Sequence, residues 1–282
     1  MIPAAFDYLA PTSVDEALAA LAEAGDDAKV LAGGQSLLPI LRMRLNAPEK
    51  VVDLGRIEAL RGIREEGDHL VIGAMTPYSE IVDNPLVRLH AALLAQAIET
   101  VADPQIRHRG TLGGALVHAD PAGDVGAPVL ALDAELVIQG PGGERTVAAT
   151  EFFQDLFETA VAEGELLTAV RIPKHTGWVS HYEKFVRVSH QWSIVAIAVA
   201  LEVDGGTISQ ARIGLTNMGN TPLRASSVES ALQGRSASDL GDACEGAAEG
   251  TNPPSDLNGD ADYRRHLARV LTRRAVMTAL GG

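Results

Sequence analysis

The sequence predicts a protein of mixed helix and strand built in two parts, and three observations carry that expectation. Strand and helix candidates alternate through the first third of the chain. Paired strand candidates joined by Gly-rich turns recur further on. The composition then shifts at Lys174-His175-Thr176-Gly177, where a domain boundary is placed. With 282 residues there is room for one large or two modest domains, and such a chain can bury a core without disulfide or metal staples.

The first helix is announced by Ser13 and Glu16, an S-x-x-E capping box whose side chains satisfy backbone donors at a helix start. Leu18, Leu21 and Ala22 follow at helical spacing, and Gly25 offers a stop. Lys29–Ala32, Val51–Leu54 and Leu70–Ala74 read as short strands, and Leu86–Ile98 as one helix with Leu89, Leu93, Leu94 and Ala97 on a face. A polar, Gly-rich stretch from Asp103 to Gly126 reads as a long connection, the kind that is often functional. Ala134–Gln139 and Arg145–Ala148 flank Gly140-Pro141-Gly142-Gly143, and Val195–Val203 and Thr207–Leu215 flank Asp204-Gly205-Gly206, giving two hairpins. Leu166–Pro173 is a further strand. Helices are expected at Ser226–Leu232, Leu240–Glu249 and Ala261–Leu280, with a Pro- and Asn-rich loop over Gly250–Gly259.

Several function classes are excluded or disfavoured early. A net charge of -14 speaks against nucleic-acid binding, which needs a Lys/Arg-rich face. The single cysteine, Cys244, cannot close an intrachain disulfide or ligate an iron–sulfur cluster, and reads as a lone thiol. The start of the chain lacks a basic, apolar leader, and the longest apolar run, Ile194–Leu201, is too short to span a bilayer, so a cytoplasmic location is expected. No G-x-G-x-x-G or G-x-x-x-x-G-K-[ST] occurs, which argues against a Rossmann site and a P-loop. No G-x-S-x-G elbow accompanies the Ser, His and Asp residues, and no catalytic triad is nominated. His118, Asp120 and Asp124 give an incomplete metal ligand set, so Asp120-Pro121 is read as a turn and no metal is expected.

Two glycine loops carry the chemistry. The first, Ala32-Gly33-Gly34-Gln35-Ser36-Leu37, follows a strand; adjacent glycines let the backbone approach a ligand, and successive N–H groups can form an anion-binding concavity. The second, Arg109-Gly110-Thr111-Leu112-Gly113-Gly114-Ala115, offers the same devices, with Arg107 and Arg109 upstream to balance phosphate charge. Either pair of glycines alone is ordinary turn chemistry. Together, with the hydroxyls of Ser36 and Thr111, they can hold a pyrophosphate from two sides. Residue chemistry alone stops at a dinucleotide site.

The same segments resemble a known family. Ala32–Leu37 is similar to its first flavin loop and Ala102–Gly114 to its second; His118-Ala119-Asp120-Pro121 with Asp124, Ile72–Thr76 and Glu183-Lys184-Phe185 stand in the expected order. The family is that of the FAD-binding medium subunits of molybdenum hydroxylases, which includes carbon monoxide dehydrogenase medium subunits and the flavin domain of xanthine dehydrogenase. The resemblance spans nearly the whole chain. It implies an α+β protein: a two-subdomain FAD-binding domain of the vanillyl-alcohol-oxidase (PCMH) type over residues 1–175, divided near residue 55, followed by a smaller α+β domain of the carbon monoxide dehydrogenase flavoprotein type over 176–282. It implies FAD as cofactor, held by Ala32, Gly33, Gly34, Gln35, Ser36 and Leu37 and by Thr111, Leu112, Gly113, Gly114 and Ala115. Asp124, Lys184 and Leu166 or Leu167 match further flavin contacts. Ala115 stands where relatives often carry Asn, and Gln35 where they often carry His.

Trp192 falls in the segment that approaches the flavin ring in relatives. It is read either as a lid on the flavin or as an ordinary core aromatic. The resemblance also implies partners: a large subunit with the molybdenum cofactor and a small subunit with two [2Fe–2S] clusters, assembled as a heterotrimer doubled by a two-fold axis. This chain would pass electrons from the clusters to an external acceptor, and substrate choice would lie in the large subunit. A self-sufficient flavin oxidoreductase and a non-catalytic nucleotide-binding protein are the alternatives.

Overall fold

Residues 2–281 are described by a computed structural model. Three sheets organise them. Strands β1 (Asp7–Leu9), β2 (Ala28–Leu31) and β3 (Lys50–Asp53) form a small parallel sheet in the order β1-β3-β2. Next come β4 (Ile63–Glu66), β5 (His69–Gly73), β6 (Glu135–Gly140) and β7 (Gly143–Ala148). A two-stranded hairpin of β8 (Phe153–Asp155) and β9 (Glu158–Thr159) precedes β10 (Leu166–Pro173). The second sheet is antiparallel in the order β4-β5-β10-β6-β7. The third, also antiparallel, runs β11 (Val179–Phe185), β12 (Val195–Asp204), β13 (Thr207–Thr216) and β14 (Leu223–Arg224) in sequence order.

Local chemistry explains much of this. The Ser13 hydroxyl accepts from the Glu16 N–H at 3.2 Å, and the Glu16 carboxylate reaches back to the Thr12 N–H at 2.8 Å, so the capping pair fixes the start of helix Val14–Ala24. Gly140 pairs with Gly143, which leaves Pro141-Gly142 as a two-residue turn. In the other hairpin Asp204 pairs with Thr207, and Gly205 and Gly206 both take positive φ, as a twist-matched tight turn requires.

Strand β12 shows how packing divides the molecule. Its side chains alternate between faces. Val195, Ile197, Val199 and Leu201 enter one core, beneath helices Ser226–Leu232 and Ala261–Ala279. Ala196, Ala198 and Ala200 enter another, shared with β5, β6, β10 and the helices between them. Burying each large aliphatic contributes about 1.5–3 kcal/mol. The alanines on the opposite face let the third sheet approach helix Gly126–Ala131 closely. A third core, with Ala17, Val52, Ile57, Met75 and Leu166, seals the first sheet against the second.

Three expectations need correction. Leu86–Ile98 is two helices, Pro85–His90 and Ala92–Glu99, broken at Ala91 (φ -146°, ψ 44°). His90, at the end of the first, is buried and tied to Thr176 Oγ1 at 2.7 Å and to Glu65 at 3.2 Å, which fixes the break. Leu240–Glu249 is a run of turns with only a short 3-10 helix at Glu245–Ala248, because Gly241 adopts positive φ and stops an α-helix from forming. The stretch 103–126 is not a structureless loop. Asp103 caps a turn at Pro104–Arg107 by accepting from Ile106 N–H, and Thr111 caps a helix at Leu112–His118. The capping residues are visible in the sequence, but the glycines beside them read as loop.

Candidate functional site

A cavity of about 740 Å³ opens between the first and second sheets, with Trp192 and Pro222 at its edge from the loops of the third, a size typical of small-molecule and cofactor sites. Both glycine loops line it. Gly33 lies so close to the backbone of Arg109 and Gly110 that a Cβ would overlap their atoms, and a Cβ on Gly114 would stand 3.0 Å from Ala32 Cβ. The loops therefore touch backbone to backbone, although they lie far apart in sequence. Gly34 adopts φ +77°, a conformation that glycine takes at no steric cost.

The loops differ in what they offer. Among the described residues, no backbone N–H from Gly33 to Leu37 donates to an acceptor in the chain. Ser36 occupies the N-cap position of helix Leu37–Met43, yet its hydroxyl makes no capping bond. The cavity-lining segment Gly33 to Leu37 thus carries a run of unpaired amides and a free hydroxyl, a donor set that suits an anionic ligand. Gln35 braces the loop by donating to Gly33 O at 3.1 Å.

In the second loop the donors are satisfied internally. Leu112 N–H donates to Thr76 O, Gly113 N–H to Ala74 O, Gly114 N–H to Thr111 Oγ1 and Ala115 N–H to Thr111 O. Only the Thr111 N–H and its hydroxyl proton stay available. The reading of two equal backbone cradles is therefore narrowed to one cradle facing a threonine.

The other nominated residues divide clearly. Leu166 and Leu167 both line the cavity, although their side chains enter different cores, Leu166 the one beneath the first sheet and Leu167 the one shared with the third. Leu112 is fully buried behind the wall. Asp124 reaches the cavity but is buried. Its Oδ1 accepts from Tyr182 Oη at 2.9 Å and Ser193 Oγ at 2.8 Å, and its Oδ2 from Lys184 Nζ at 2.7 Å. Burial pushes the Asp124 carboxyl above its ordinary value, opposed by the Lys184 ammonium and the two hydroxyls. Lys184 does not line the cavity. Its ammonium pairs with Asp124 and donates a further bond to Thr100 O.

Trp192 lines the cavity and is 57% exposed, which removes the core-aromatic reading. Arg107 donates to Val101 O at 2.7 Å and braces the loop, and neither it nor Arg109 lines the cavity, so no guanidinium supplies the expected charge balance there. Asp120 accepts from Ala122 N–H at 2.9 Å and forms the expected turn, while His118 packs on Phe157.

Lys29, Tyr78 and Phe157 also line the cavity and were not anticipated. Lys29 stands beside the first loop, where a basic residue next to an anion cradle was a usable signal. Tyr78 is brought in by its N–H donating to Gly110 O, a contact no local motif announces. Phe157 sits at the tip of the β8–β9 hairpin with φ +57°.

The fold and the cavity define a class: an α+β protein whose nucleotide-sized site is walled by two touching glycine loops. Residues 4–175 match the family described as FAD binding domain in molybdopterin dehydrogenase, and residues 180–279 match the CO dehydrogenase flavoprotein C-terminal domain. The carbon monoxide dehydrogenase medium chain of Hydrogenophaga pseudoflava is 42% identical, over 99% of this chain and 98% of its own length. A solved structure of carbon monoxide dehydrogenase from that organism, lacking the Mo-pyranopterin moiety, superposes with a TM-score of 0.96 at 43% identity, covering 100% of this chain and 99% of that one. Quinoline 2-oxidoreductase from Pseudomonas putida 86 gives 0.94 at 34% identity, with the same coverage. The chain belongs to the FAD-binding medium subunits of molybdenum hydroxylases. Among the described residues no helix is long and apolar enough to cross a membrane.

Proposed function

We propose that the cavity holds FAD with its pyrophosphate on the amides of Gly33 to Leu37, faced by Thr111. The observation that carries this reading is the run of unpaired N–H groups on the first loop. Ala32, Gly113, Gly114 and Ala115 shape the walls at the point where the loops touch, and Leu112 anchors the second loop from behind. Leu166 and Leu167 give the isoalloxazine an apolar bed. Asp124 and Lys184 hold the strand ends behind it, and Trp192 limits its exposure to water. Bound there, FAD would supply the electron-transfer station between the iron–sulfur clusters of a partner and an external acceptor, while this chain's residues set its position and access.

The proposal extends to the assembly. This chain works with a large subunit carrying the molybdenum cofactor and a small subunit carrying two [2Fe–2S] clusters, as a dimer of heterotrimers in the cytoplasm. Full-length correspondence to medium chains supports that reading and lends nothing to a self-sufficient oxidoreductase or a scaffold. Metal analysis of the co-purified complex tests the assembly. For the site, the chain, alone and in its complex, is titrated with FAD, FMN and ADP. FAD is expected to bind one to one, ADP to compete, and FMN, which lacks the diphosphate bridge, to bind more weakly. Equal affinity for FMN and FAD, or no flavin uptake by chain and complex alike, overturns the proposal.

A further inference from the structure

Arg264 is the largest fully buried side chain described, on the second turn of helix Ala261–Ala279. Taking a guanidinium out of water costs several kcal/mol unless it is well paired, and an apolar residue of similar volume packs a core at least as well. Its bonds show what the charge is used for. One terminal nitrogen donates to Ile194 O, and the other to Asp256 Oδ1 at 2.8 Å. Nε has no partner. Arg264 thus bolts together two loops, residues 186–194 and residues 250–260.

Two weaker bonds join the same loops, from Arg187 Nη1 to Leu257 O at 3.3 Å and from Gln191 Nε2 to Asn258 Oδ1 at 3.4 Å. On its other side the first loop is tied by Ser193 Oγ to Asp124, by His190 Nδ1 to Ala102 O at 2.6 Å, and by Asn217 Nδ2 to Ser193 O at 2.8 Å. Trp192 sits between these anchored residues, more than half exposed, and its ring nitrogen makes no hydrogen bond among the described residues. Its place at the cavity is inherited from the backbone on either side.

We propose that Arg264 is a positioning residue that sets Trp192 across the cavity mouth. On this account the C-terminal helix, not the glycine loops, governs access to the bound ring. The inference rests on the reading that FAD occupies the cavity. It separates two properties: loss of Arg264 loosens Trp192 and opens the flavin to solvent, while the pyrophosphate seat keeps its grip.

The chain has two tryptophans, so Trp178→Phe leaves Trp192 as the sole indole reporter. In that background Arg264→Met, Arg264→Lys and Asp256→Asn are compared by Trp192 fluorescence anisotropy without FAD. With FAD, the readouts are flavin quenching of Trp192 emission and the rate at which sulfite reaches the flavin. Arg264→Met is expected to lower the anisotropy, weaken the quenching and speed sulfite addition several-fold, with FAD affinity held within about threefold. Arg264→Lys, which keeps the charge but cannot span both acceptors, falls between. Asp256→Asn moves the same way by less.

A folded Arg264→Met chain with unchanged anisotropy and quenching overturns the proposal. If that variant does not fold, unchanged readouts in Asp256→Asn and Arg264→Lys overturn it equally. Failure of the parent chain to take up FAD sinks the cofactor reading instead, and the FAD-free anisotropy still decides the role of Arg264.

Discussion

Replacing Gly33 by alanine tests the contact on which the cavity depends. The added Cβ would overlap Arg109 O and stand 2.8 Å from both Arg109 C and Gly110 Cα. These are backbone atoms, so no side chain can swing away, and the two loops must part. Overpacking of this kind costs about 1–3 kcal/mol. For a chain of this size each kcal/mol lowers Tm by roughly 2–4 °C. If the same separation recurs on closing around the diphosphate, affinity for FAD falls about tenfold for each 1.4 kcal/mol. Gly142→Ala is the control, because nothing lies within 4 Å of where its methyl group would stand and it sits in a turn remote from the cavity. Calorimetric melting and FAD titration of both variants decide the matter. A Gly33→Ala chain that melts and binds FAD like the parent refutes the claim that the loops meet at this point.

Other outcomes follow from the same structure. Asp124→Asn leaves the Lys184 ammonium in a nearly dry site without its counter-charge, and urea unfolding is expected to show a loss of about 3–5 kcal/mol; a loss under about 1 kcal/mol would mean the pair is solvated. His175 packs edge-on against Trp178 at 4.6 Å, and burial holds its imidazole below the ordinary value of 6.5. Its folded pKa is thus depressed relative to the unfolded chain. The contribution is full above 6.5 and is lost as pH falls through the folded value. The urea midpoint should drop between pH 7.5 and 5.5 by less in His175→Phe than in the parent; equal drops would contradict this. Burial pushes the Cys244 thiol up to about 11, so alkylation by iodoacetamide at pH 8 should be slow in the folded chain and rapid in urea. Fast labelling without urea would contradict the buried placement.

What the sequence made legible was local. Ser13 with Glu16 and the Gly205-Gly206 turn are fixed by neighbours a few residues away, and each appears in the structure as expected. The two glycine loops were recognisable for the same reason. Their division of labour was not. Whether Gly113 N–H is free depends on Ala74 O, and whether Leu112 N–H is free depends on Thr76 O, acceptors on a distant strand end. The pairing of Lys184 with Asp124 joins residues 60 positions apart, which no local pattern announces. Trp192 could be core or lid, and only its exposure separates the two. The Leu240–Glu249 segment misled because its alanines and leucine favour a helix, while Gly241 ends it early. Arg264 carried no signal at all, since an arginine on an amphipathic helix ordinarily faces solvent.

The most direct test of the account is a crystal structure of the complex loaded with FAD. Diphosphate oxygens within hydrogen-bonding reach of the Gly33, Gly34, Gln35, Ser36 and Leu37 nitrogens, with the Thr111 hydroxyl opposite, are what it predicts. A diphosphate seated elsewhere, leaving those amides to water, would contradict it.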